Sequence, residues 1–577
     1  MVLFRVWAPN AHGVDLLLGD RRLPLTAERD DWWSVEADAD AGDTYSYSVD
    51  GSEPLPDPRS PWQPEGVFGP SALVDHSAFT WTDQRWQAPP LSSAVIYELH
   101  IGTFTPEGTF DAAIERLDYL GELGVTHVEI MPAHQFPGAW GWGYDGVDLY
   151  APQNTYGGPD GLKRLVDACH AHGLAVLLDV VYNHLGPSGN FLSRFGPYFT
   201  DRYSTPWGMA VNLDGPGSDE VRRFICDNAL MWLADYHFDG LRLDAVHALL
   251  DQSAIHLLEQ LSAEVDTLEA QLGRRLVLIA ESDLNDPRLV HSREVGGYGL
   301  AAQWSDDFHH ALHAALTGER DGYYVDFGSL ADLAHAFRRA YVYEGRYSVA
   351  RQRRHGRPTT GLSGHHFVVF SQNHDHVGNR AQGERTVALM SPGRLRVAAA
   401  LLCMAPFIPL LFQGEEWGAS APFLYFTDHQ DPELARAVRE GRRHEFTAFG
   451  WDPEDVPDPQ APESFERSKL PWAELDQEPH ASLLAWYRSL LRLRRAIPAL
   501  TDGRLHEIEV AYDEAAQWFR MTHGPITLAC NLADAPQSVP TTEDAGDTVV
   551  LASQDGIEAR HGAVTLPSDA VAILQRR

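Results

Sequence analysis

The segment Gly-Leu-Arg-Leu-Asp-Ala-Val-His at residues 240–247 decides the fold. It begins as a short apolar strand and ends in polar side chains, and apolar spacing predicts helices before it at 220–236 and after it at 255–272. A strand between two helices is the repeating unit of a parallel sheet. Because side chains alternate along a strand, Arg242 and Asp244 are expected on the same face. The segment therefore predicts an α/β architecture with charged groups at a strand end.

The same alternation of strand and helix continues on both sides of this segment. Further strands are predicted from apolar runs at residues 94–104, 125–131, 175–182, 276–280, 300–304, 367–371 and 408–412. Parallel strands joined by helical crossovers, eight in all, suggest a closed (β/α)8 TIM barrel. A doubly wound open sheet fits the same pattern, so the alternation alone leaves both architectures open.

Short strands separated by turn residues predict a β-sandwich at each end of the chain. The N-terminal strands are predicted at residues 3–7, 14–18, 32–36 and 44–49, and the C-terminal strands at residues 506–511, 518–522, 526–532, 547–551 and 563–566. We therefore expect an immunoglobulin-like β-sandwich over residues 1–90, the barrel with its loop insertions over residues 91–498, and a second β-sandwich over residues 499–577.

Composition excludes several classes of partner. The 577 residues contain 45 basic and 81 acidic side chains, which gives a net charge of −36. Such a surface repels nucleic-acid phosphates and anionic membranes, so neither is an expected partner. Residues 1–10 lack a basic start followed by an apolar run, and no apolar stretch reaches the length of a membrane span, so a cytoplasmic location is expected. The four cysteines form no CxxC pair, which predicts free thiols, no zinc site and no cofactor.

Acidic residues and histidines follow four of the predicted strands. They occur in Asp-Val-Val-Tyr-Asn-His at 179–184, in the segment at 240–247, in Ala-Glu-Ser-Asp at 280–283, and in Gln-Asn-His-Asp-His at 372–376. Catalytic groups of TIM barrels lie at the carboxyl ends of strands. Taken singly, each acidic residue is equally well explained as a helix cap or a structural ion pair. Together, at four strand ends, they indicate an active site.

Glycoside cleavage requires two carboxyl groups at the bond, one ionised and one protonated. The adjacent arginine favours an ionised Asp244, as a nucleophile requires. Glu281 follows an apolar run without a basic neighbour, and such surroundings favour the protonated form that a general acid needs. Asp375 lies between two histidines and is suited to stabilise a charged transition state. The residues themselves thus indicate a retaining α-glucan enzyme.

The order and spacing of the four segments resemble the signature regions of the α-amylase family of glycoside hydrolases and transferases, over residues 94–420. The resemblance implies a double displacement with Asp244 as nucleophile, Glu281 as acid and then base, and Asp375 as transition-state stabiliser. It also implies that the sugar at subsite −1 is surrounded by four residues that match the family, namely Tyr144, His184, Arg242 and His374.

Two features distinguish the chain from plain α-amylases. The sandwich before the barrel resembles a module of branching enzymes, debranching enzymes and trehalohydrolases. In addition, His247-Ala248 stands where plain α-amylases commonly carry a Lys-His pair. That departure weakens the family's calcium site, for which Asn183 alone matches a ligand, so no required metal is expected.

Within the family, longer stretches resemble the maltooligosyltrehalose trehalohydrolases; they lie at residues 179–190, 240–249, 279–288, 303–310, 372–380, 410–418 and 422–429. The resemblance implies hydrolysis of the α-1,4 bond next to the terminal trehalose of maltooligosyltrehalose. The implied products are trehalose and a maltooligosaccharide, in a trehalose-synthesis pathway with a maltooligosyltrehalose synthase. His376 is a departure, because the resemblance leads us to expect Gln there.

Residues near the strand ends supply further expected substrate contacts: Trp142 as a sugar platform, His247 as a further substrate-binding residue, and Asp306, His309 and Glu415 on the leaving side. Helix capping by Asp306 and a core position for Trp142 are the alternatives. Two other functions remain open. A branching enzyme would use the same chemistry with a sugar in place of water. A carbohydrate-binding protein without catalysis is disfavoured, because the three expected catalytic carboxylates are all present.

Overall fold

A closed barrel of eight parallel strands forms the centre of the protein. The computed structural model describes residues 1–447, 452–541 and 547–576. In chain order, the barrel strands are Ile96–Leu99, His127–Ile130, Ala175–Val180, Gly240–Leu243, Val277–Ala280, Ala302–Trp304, Phe367–Phe370 and Ile408–Phe412. Each pairs in parallel with the next, and the last pairs with the first, which closes the barrel. The expected TIM barrel is confirmed, and the open sheet is excluded.

Helices connect the barrel strands and cover their outer faces. The principal helices are Gly158–Ala171, Ser218–Ala234, Leu257–Leu272, Asp306–Thr317, Leu330–Arg339, Pro392–Met404 and His480–Ala496. Shorter or peripheral helices are Ile101–Phe104, Phe110–Ile114, Leu117–Leu123, His374–Gly378, Thr386–Leu389, Pro432–Thr447 and Pro462–Arg467. Because the strands are covered on both sides, runs such as Ala175–Val180 are buried at every position. Over the described residues, no helix has the length and hydropathy needed to cross a membrane.

Several strands end earlier than their apolar runs predict. The run at 94–104 stays extended only to Leu99, because the His100 N–H donates to the Gln413 side chain at 3.0 Å and the chain enters a short helix. The run at 240–246 ends at Leu243, since Ala245 adopts a left-handed backbone with φ of 39°. Both breaks occur at the carboxyl end of the barrel, where the chain turns into the loops that form the site.

Antiparallel sheets flank the barrel at both ends of the chain, as expected. The N-terminal strands are Val2–Trp7, Val14–Leu18, Arg21–Pro24, Thr26–Ala27, Trp32–Ala37, Thr44–Val49 and Ser71–Ala72, in a three-stranded and a four-stranded sheet. Phe4 of one sheet meets Tyr45 of the other edge to face at 5.1 Å, which joins the two sheets in one core.

The C-terminal strands form a five-stranded and a three-stranded sheet; they are Glu509–Asp513, Trp518–His523, Ile526–Asn531, Gln537–Pro540, Thr548–Ala552, Ala559–Arg560, Ala563–Leu566 and Ala570–Gln575. Three of these strands were not predicted from the sequence: Gln537–Pro540, Ala559–Arg560 and Ala570–Gln575. Ala570–Gln575 is almost fully buried beside Ile526–Asn531, so it lacks the alternation of polar and apolar residues that marks an exposed strand.

Candidate active site

Buried Arg242 connects three carboxylates that lie at the carboxyl ends of three barrel strands. Its Nη1 donates to both oxygens of Asp179 at 2.9 Å and to Asp244 Oδ1 at 2.8 Å. Nη2 lies 3.8 Å from Glu281 Oε2, and the guanidinium rests on the Trp304 ring at 4.3 Å. The side chain has no solvent exposure, so this charge acts in a poorly screened setting. Asp244 and Glu281 are therefore held around one cation, as their predicted joint role requires.

Asp244 is fixed through both of its oxygens. Arg242 donates to Oδ1, and the Asn183 amide donates to Oδ2 at 2.8 Å and to the Asp244 carbonyl at 2.9 Å. The carbonyl oxygen of Asn183 in turn contacts His184 Nδ1 at 2.5 Å. The Asn183 side chain is thus used at both of its polar atoms to hold the site.

The environment of Glu281 favours a protonated carboxyl group. Burial raises its pKa well above the ordinary value, and the charges of Asp244, Asp306 and Asp375 raise it further, against the opposing effect of Arg242. One oxygen accepts a hydrogen bond from the Ala245 N–H. The expected general acid therefore has a cause for its protonation in the structure, in addition to the apolar run that precedes it.

His374 positions a chain of polar groups beside Asp375. Its Nδ1 contacts Glu98 Oε1 at 2.5 Å, its Nε2 contacts the Tyr144 hydroxyl at 2.7 Å, and Tyr144 donates to Asp179 at 2.6 Å. Burial lowers the pKa of His374, but the Asp375 and Glu98 carboxylates outweigh it and raise the pKa to about 9. His374 is therefore protonated at neutral pH, with Asp375 Oδ2 at 3.4 Å.

These groups open into a cavity of about 400 Å3 at the carboxyl end of the barrel. Its lining includes the three expected catalytic residues and four of the expected substrate contacts, Tyr144, His184, Trp142 and His247. The Asp375 side chain is 39% exposed, whereas those of Asp244 and Glu281 are 11% and 15% exposed. Carboxyl groups and aromatic faces around one cleft fit a sugar chain.

Two expected contacts lie away from the cavity. Glu415 is buried, and it accepts hydrogen bonds from the Ser371 hydroxyl at 2.8 Å and the Tyr487 hydroxyl at 2.9 Å. His309 is also buried, and its Nε2 lies 3.1 Å from the Tyr324 hydroxyl. Their expected contact with substrate therefore does not fit the structure. A position near the end of a predicted strand indicates that a residue lies at the carboxyl edge of the barrel. It does not show whether other segments cover the side chain.

Asp306 does not line the cavity, but its side chain is 22% exposed and its charge acts on Glu281 in the site. It is the first residue of the helix Asp306–Thr317, whose cap is the Ser305 hydroxyl, so the capping role expected as an alternative for Asp306 belongs to its neighbour. The neighbouring Asp307 is buried and accepts from the N–H groups of Val342 and Tyr343 at 2.6 and 2.7 Å. Of this acidic pair, Asp307 is structural, whereas Asp306 is partly exposed and has His376 Nε2 at 3.3 Å from its Oδ1.

Three residues of the site had no role in the sequence analysis. Asp179 anchors Arg242, and Glu98 at the end of the first barrel strand holds His374. Trp207, at the turn of a hairpin formed by Phe199–Thr205 and Gly208–Val211, lines the cavity and stacks on His184 at 4.5 Å. The strand ends contained a signal for Asp179 and Glu98; Trp207 had none, because a long insertion brings it to the site.

Metal-ligating residues come together away from the cavity. Among the described residues, Asp502, Glu507 and His523 bring potential ligand atoms within 4.8 Å of one another. The Arg504 guanidinium already bonds the carboxylates of Asp502 and Glu507. All four cysteines are buried free thiols.

Comparisons with known proteins agree with this geometry. The chain matches the family model for the alpha amylase catalytic domain over residues 74–198, and that for a domain of unknown function (DUF3459) over residues 503–573. It is 53% identical over 543 residues to the malto-oligosyltrehalose trehalohydrolase of Arthrobacter ramosus, which covers 93% of this chain and 94% of that protein. It is 50% identical over 582 residues to the enzyme of the same name from Rhizobium sp. (strain M-11), at 99% and 97% coverage.

A solved structure shows the same architecture. A candidate alpha amylase from Salmonella typhimurium superposes with a TM-score of 0.91 and 39% sequence identity, over 100% of this chain and 97% of that one. The likeness covers the barrel together with both flanking sheet regions.

Proposed function

The chain belongs to the malto-oligosyltrehalose trehalohydrolase family of α-amylase-related glycoside hydrolases, and we propose that it hydrolyses the α-1,4 bond next to the terminal trehalose of maltooligosyltrehalose. The products are free trehalose and a shortened maltooligosaccharide. The observation that carries this proposal is the cavity in which Asp244, Glu281 and Asp375 meet, in a chain about half identical to named trehalohydrolases.

The reaction follows from the two environments of the carboxyl groups. Asp244, held through both oxygens, attacks the anomeric carbon, while Glu281 gives its proton to the departing oxygen of trehalose. This step forms a glycosyl-enzyme and leaves Glu281 ionised. Glu281 then takes a proton from water, the water oxygen bonds the anomeric carbon, and Asp244 is released. The configuration at the anomeric carbon is retained.

Positive charge that develops on the sugar is matched by fixed groups. Asp375 is the most exposed of the three carboxylates, and its negative charge is the one suited to stabilise the developing positive charge. Protonated His374 lies beside Asp375 and helps to orient that carboxylate. Tyr144, stacked on His374 at 5.2 Å, faces the cavity and is suited to lie under the ring at subsite −1. Because these groups are held by one another, little reorganisation is needed when the charge forms.

Preference for a trehalose end has to come from the leaving side of the cleavage point. A trehalose-capped chain and a plain chain differ only beyond that point. Polar groups that the wrong sugar leaves unpaired cost about 1–3 kcal/mol each. Asp306, whose charge acts on Glu281, and exposed His247 in the cavity wall are the groups that we assign to this task.

Two further proposals concern the place of the enzyme in the cell. A maltooligosyltrehalose synthase must supply the substrate, so the two enzymes act in sequence in trehalose synthesis. We also place the enzyme in the cytoplasm, because its four cysteines are unpaired buried thiols, which suits a reducing compartment.

Product analysis tests the proposal. The purified enzyme is incubated with trehalose-capped maltopentaose, plain maltopentaose and amylose, and the products are separated and followed by NMR. Rapid release of trehalose from the capped chain supports the assignment. New α-1,6 branches from amylose without trehalose release would identify a branching enzyme, and binding without turnover would identify a carbohydrate-binding protein.

A further inference from the structure

Four histidines pack against one another beside the active site. His376 follows Asp375, and His309, His310 and His313 come from the helix Asp306–Thr317. His376 stacks on His309 with 3.8 Å between ring centroids and 7° between the planes. His310 packs against the His376 ring in a T-shaped arrangement, with 5.2 Å between the ring centroids. The imidazole of His376 is therefore held between rigid elements, and its side chain is only 11% exposed.

The free edge of His376 faces Asp306. His376 Nε2 lies 3.3 Å from Asp306 Oδ1. The backbone N–H of His376 donates to the Asn373 side-chain oxygen at 2.8 Å, which fixes the residue at the start of its helix. The Asp306 side chain is 22% exposed. It is also close enough to Glu281 for its charge to raise the pKa of that acid. One imidazole thus links a fixed aromatic stack to a carboxylate near the leaving side.

The neighbouring histidines do not compete for this contact. Burial holds the pKa of His309 well below its ordinary value, so the ring under His376 is neutral, and its Nε2 faces Tyr324. Burial likewise lowers the pKa of His310. His313 contacts Glu319 at 2.7 Å, and Arg380 pairs with that same carboxylate. Glu319 thus pairs with His313 and Arg380, and Asp306 is the carboxylate that contacts His376.

We propose that His376 is a positioning residue that fixes the Asp306 carboxylate on the leaving side, where Asp306 hydrogen-bonds the released disaccharide. This inference rests on the proposed function. It concerns a residue that departs from the Gln expected at this position. Both side chains can donate a hydrogen bond to Asp306, but only the imidazole is also clamped by parallel stacking. Without the contact, Asp306 can turn toward solvent and loses the geometry that a sugar hydroxyl requires.

The experiment compares His376→Ala, His376→Gln, Asp306→Ala and the double variant His376→Ala/Asp306→Ala. His313→Gln is the matched control, because it alters the same histidine cluster on the side away from Asp306. For each protein, kcat and KM are measured on trehalose-capped and plain maltopentaose, and circular dichroism checks the fold. Loss of one charge-assisted contact is expected to lower the capped-to-plain ratio of kcat/KM by about 10-fold in His376→Ala.

The expected pattern separates positioning from general damage. His376→Ala should act mainly through KM for the capped substrate, and His376→Gln should recover most of the preference. The double variant should be no worse than Asp306→Ala, because both changes remove the same contact. His313→Gln should keep the parent ratio.

Three results overturn the inference. The first is an unchanged capped-to-plain ratio of kcat/KM in His376→Ala. The second is a double variant whose loss equals the product of the two single losses, and the third is a loss in His313→Gln as large as that in His376→Ala. If His376→Ala does not fold, His376→Phe replaces it, because a phenyl ring keeps the stack on His309 but cannot bond Asp306. An unchanged ratio in His376→Phe then contradicts the assignment. A parent enzyme without preference for the capped chain overturns the proposed function instead, whatever the variants do.

Discussion

The Arg242 guanidinium donates to Asp244 Oδ1 at 2.8 Å from a position without solvent exposure. Arg242 lies on the strand Gly240–Leu243 and Asp244 directly follows that strand, with a single residue between the two, so their side chains leave the same face. The same nitrogen also donates to both oxygens of Asp179, and these bonds fix the orientation of the guanidinium. Asp244 is therefore oriented before substrate arrives, as the nucleophilic attack that we propose for it requires.

Removal of the nucleophile should abolish turnover without loss of the fold. Asp244→Ala is expected to lower kcat by several orders of magnitude, because the covalent step disappears. Steady-state kinetics and circular dichroism measure the two effects. Activity within tenfold of the parent would contradict the assignment. A crystal structure should also show the Asp244 and Glu281 carboxyl groups about 5–5.5 Å apart, the separation typical of retention.

The pH dependence should reflect the raised pKa of Glu281. This group must be protonated in the first step, so kcat/KM is expected to fall as pH rises through that pKa. In Asp306→Asn a neighbouring negative charge is lost, ionisation of Glu281 becomes easier, and the alkaline limb should move to lower pH. Values of kcat/KM on trehalose-capped maltopentaose from pH 4 to 10 measure the limb, because a sugar leaving group requires protonation by the acid. A shift to higher pH, or none, would show that Asp306 does not influence the acid.

Trp207 is expected to act as a platform for sugar. Its ring is 47% exposed and stacks on His184, so one aromatic face is available to the cavity. Trp207→Ala should raise KM by about 5- to 10-fold, with a smaller change in kcat, and Trp207→Phe should recover part of the affinity. Met209→Ala is the control, because Met209 is exposed on the same hairpin but does not line the cavity. Equal effects of both alanine variants would indicate a general role of the hairpin.

A buried network at the opposite side of the barrel should contribute to stability. Asp83 accepts from His170 and His237 at 2.8 Å each. Burial raises the pKa of Asp83, but these hydrogen bonds outweigh it and lower the pKa, so its contribution is present above pH 4 and is lost as pH falls further. For His170, burial lowers the pKa but Asp239 and Asp83 raise it overall, so its contribution is complete below about pH 6.5 and is lost as pH rises through the raised value.

Urea-induced unfolding tests this network. Asp83→Asn is expected to lower the free energy of unfolding at pH 6 by about 3 kcal/mol, because it leaves buried partners uncompensated. Asp118→Asn is the matched control, since its pair with His172 joins a largely exposed carboxylate and should matter by less than about 1 kcal/mol. A similar loss in both variants would argue against a special role for Asp83.

Chelation should leave catalysis unchanged. The Asn183 side chain is occupied by Asp244 and His184, and Asp502, Glu507 and His523 lie outside the cavity. Dialysis against EDTA is expected to preserve kcat/KM, and addition of calcium should not raise it. Activity that disappears with EDTA and returns with calcium would show that a metal supports the site.

Short-range pattern was enough to predict the parallel strands and the edge that carries the proposed catalytic groups, but not whether the sheet closes into a barrel. Apolar runs that alternate with amphipathic segments specify buried parallel strands, and period-2 alternation places Arg242 and Asp244 on one face. Glu281 and Asp375 could be assigned for the same reason, because the end of an apolar run marks the carboxyl edge of the sheet. These properties depend on neighbours in the sequence, so the sequence contains them.

The partners of each side chain were decided only by the tertiary structure. Trp207 reaches the cavity on a hairpin from a long insertion, and Glu98 reaches His374 across 276 residues of chain. Glu415 stands at a strand end but is covered by Tyr487 from a distant helix. The sequence by itself determined the periodicity, the alternation of strands with helices and the charged strand ends, whereas closure of the barrel is a property of the folded chain. Exposure, pairing and protonation depend on packing between segments remote in sequence, and those only the folded chain brings together.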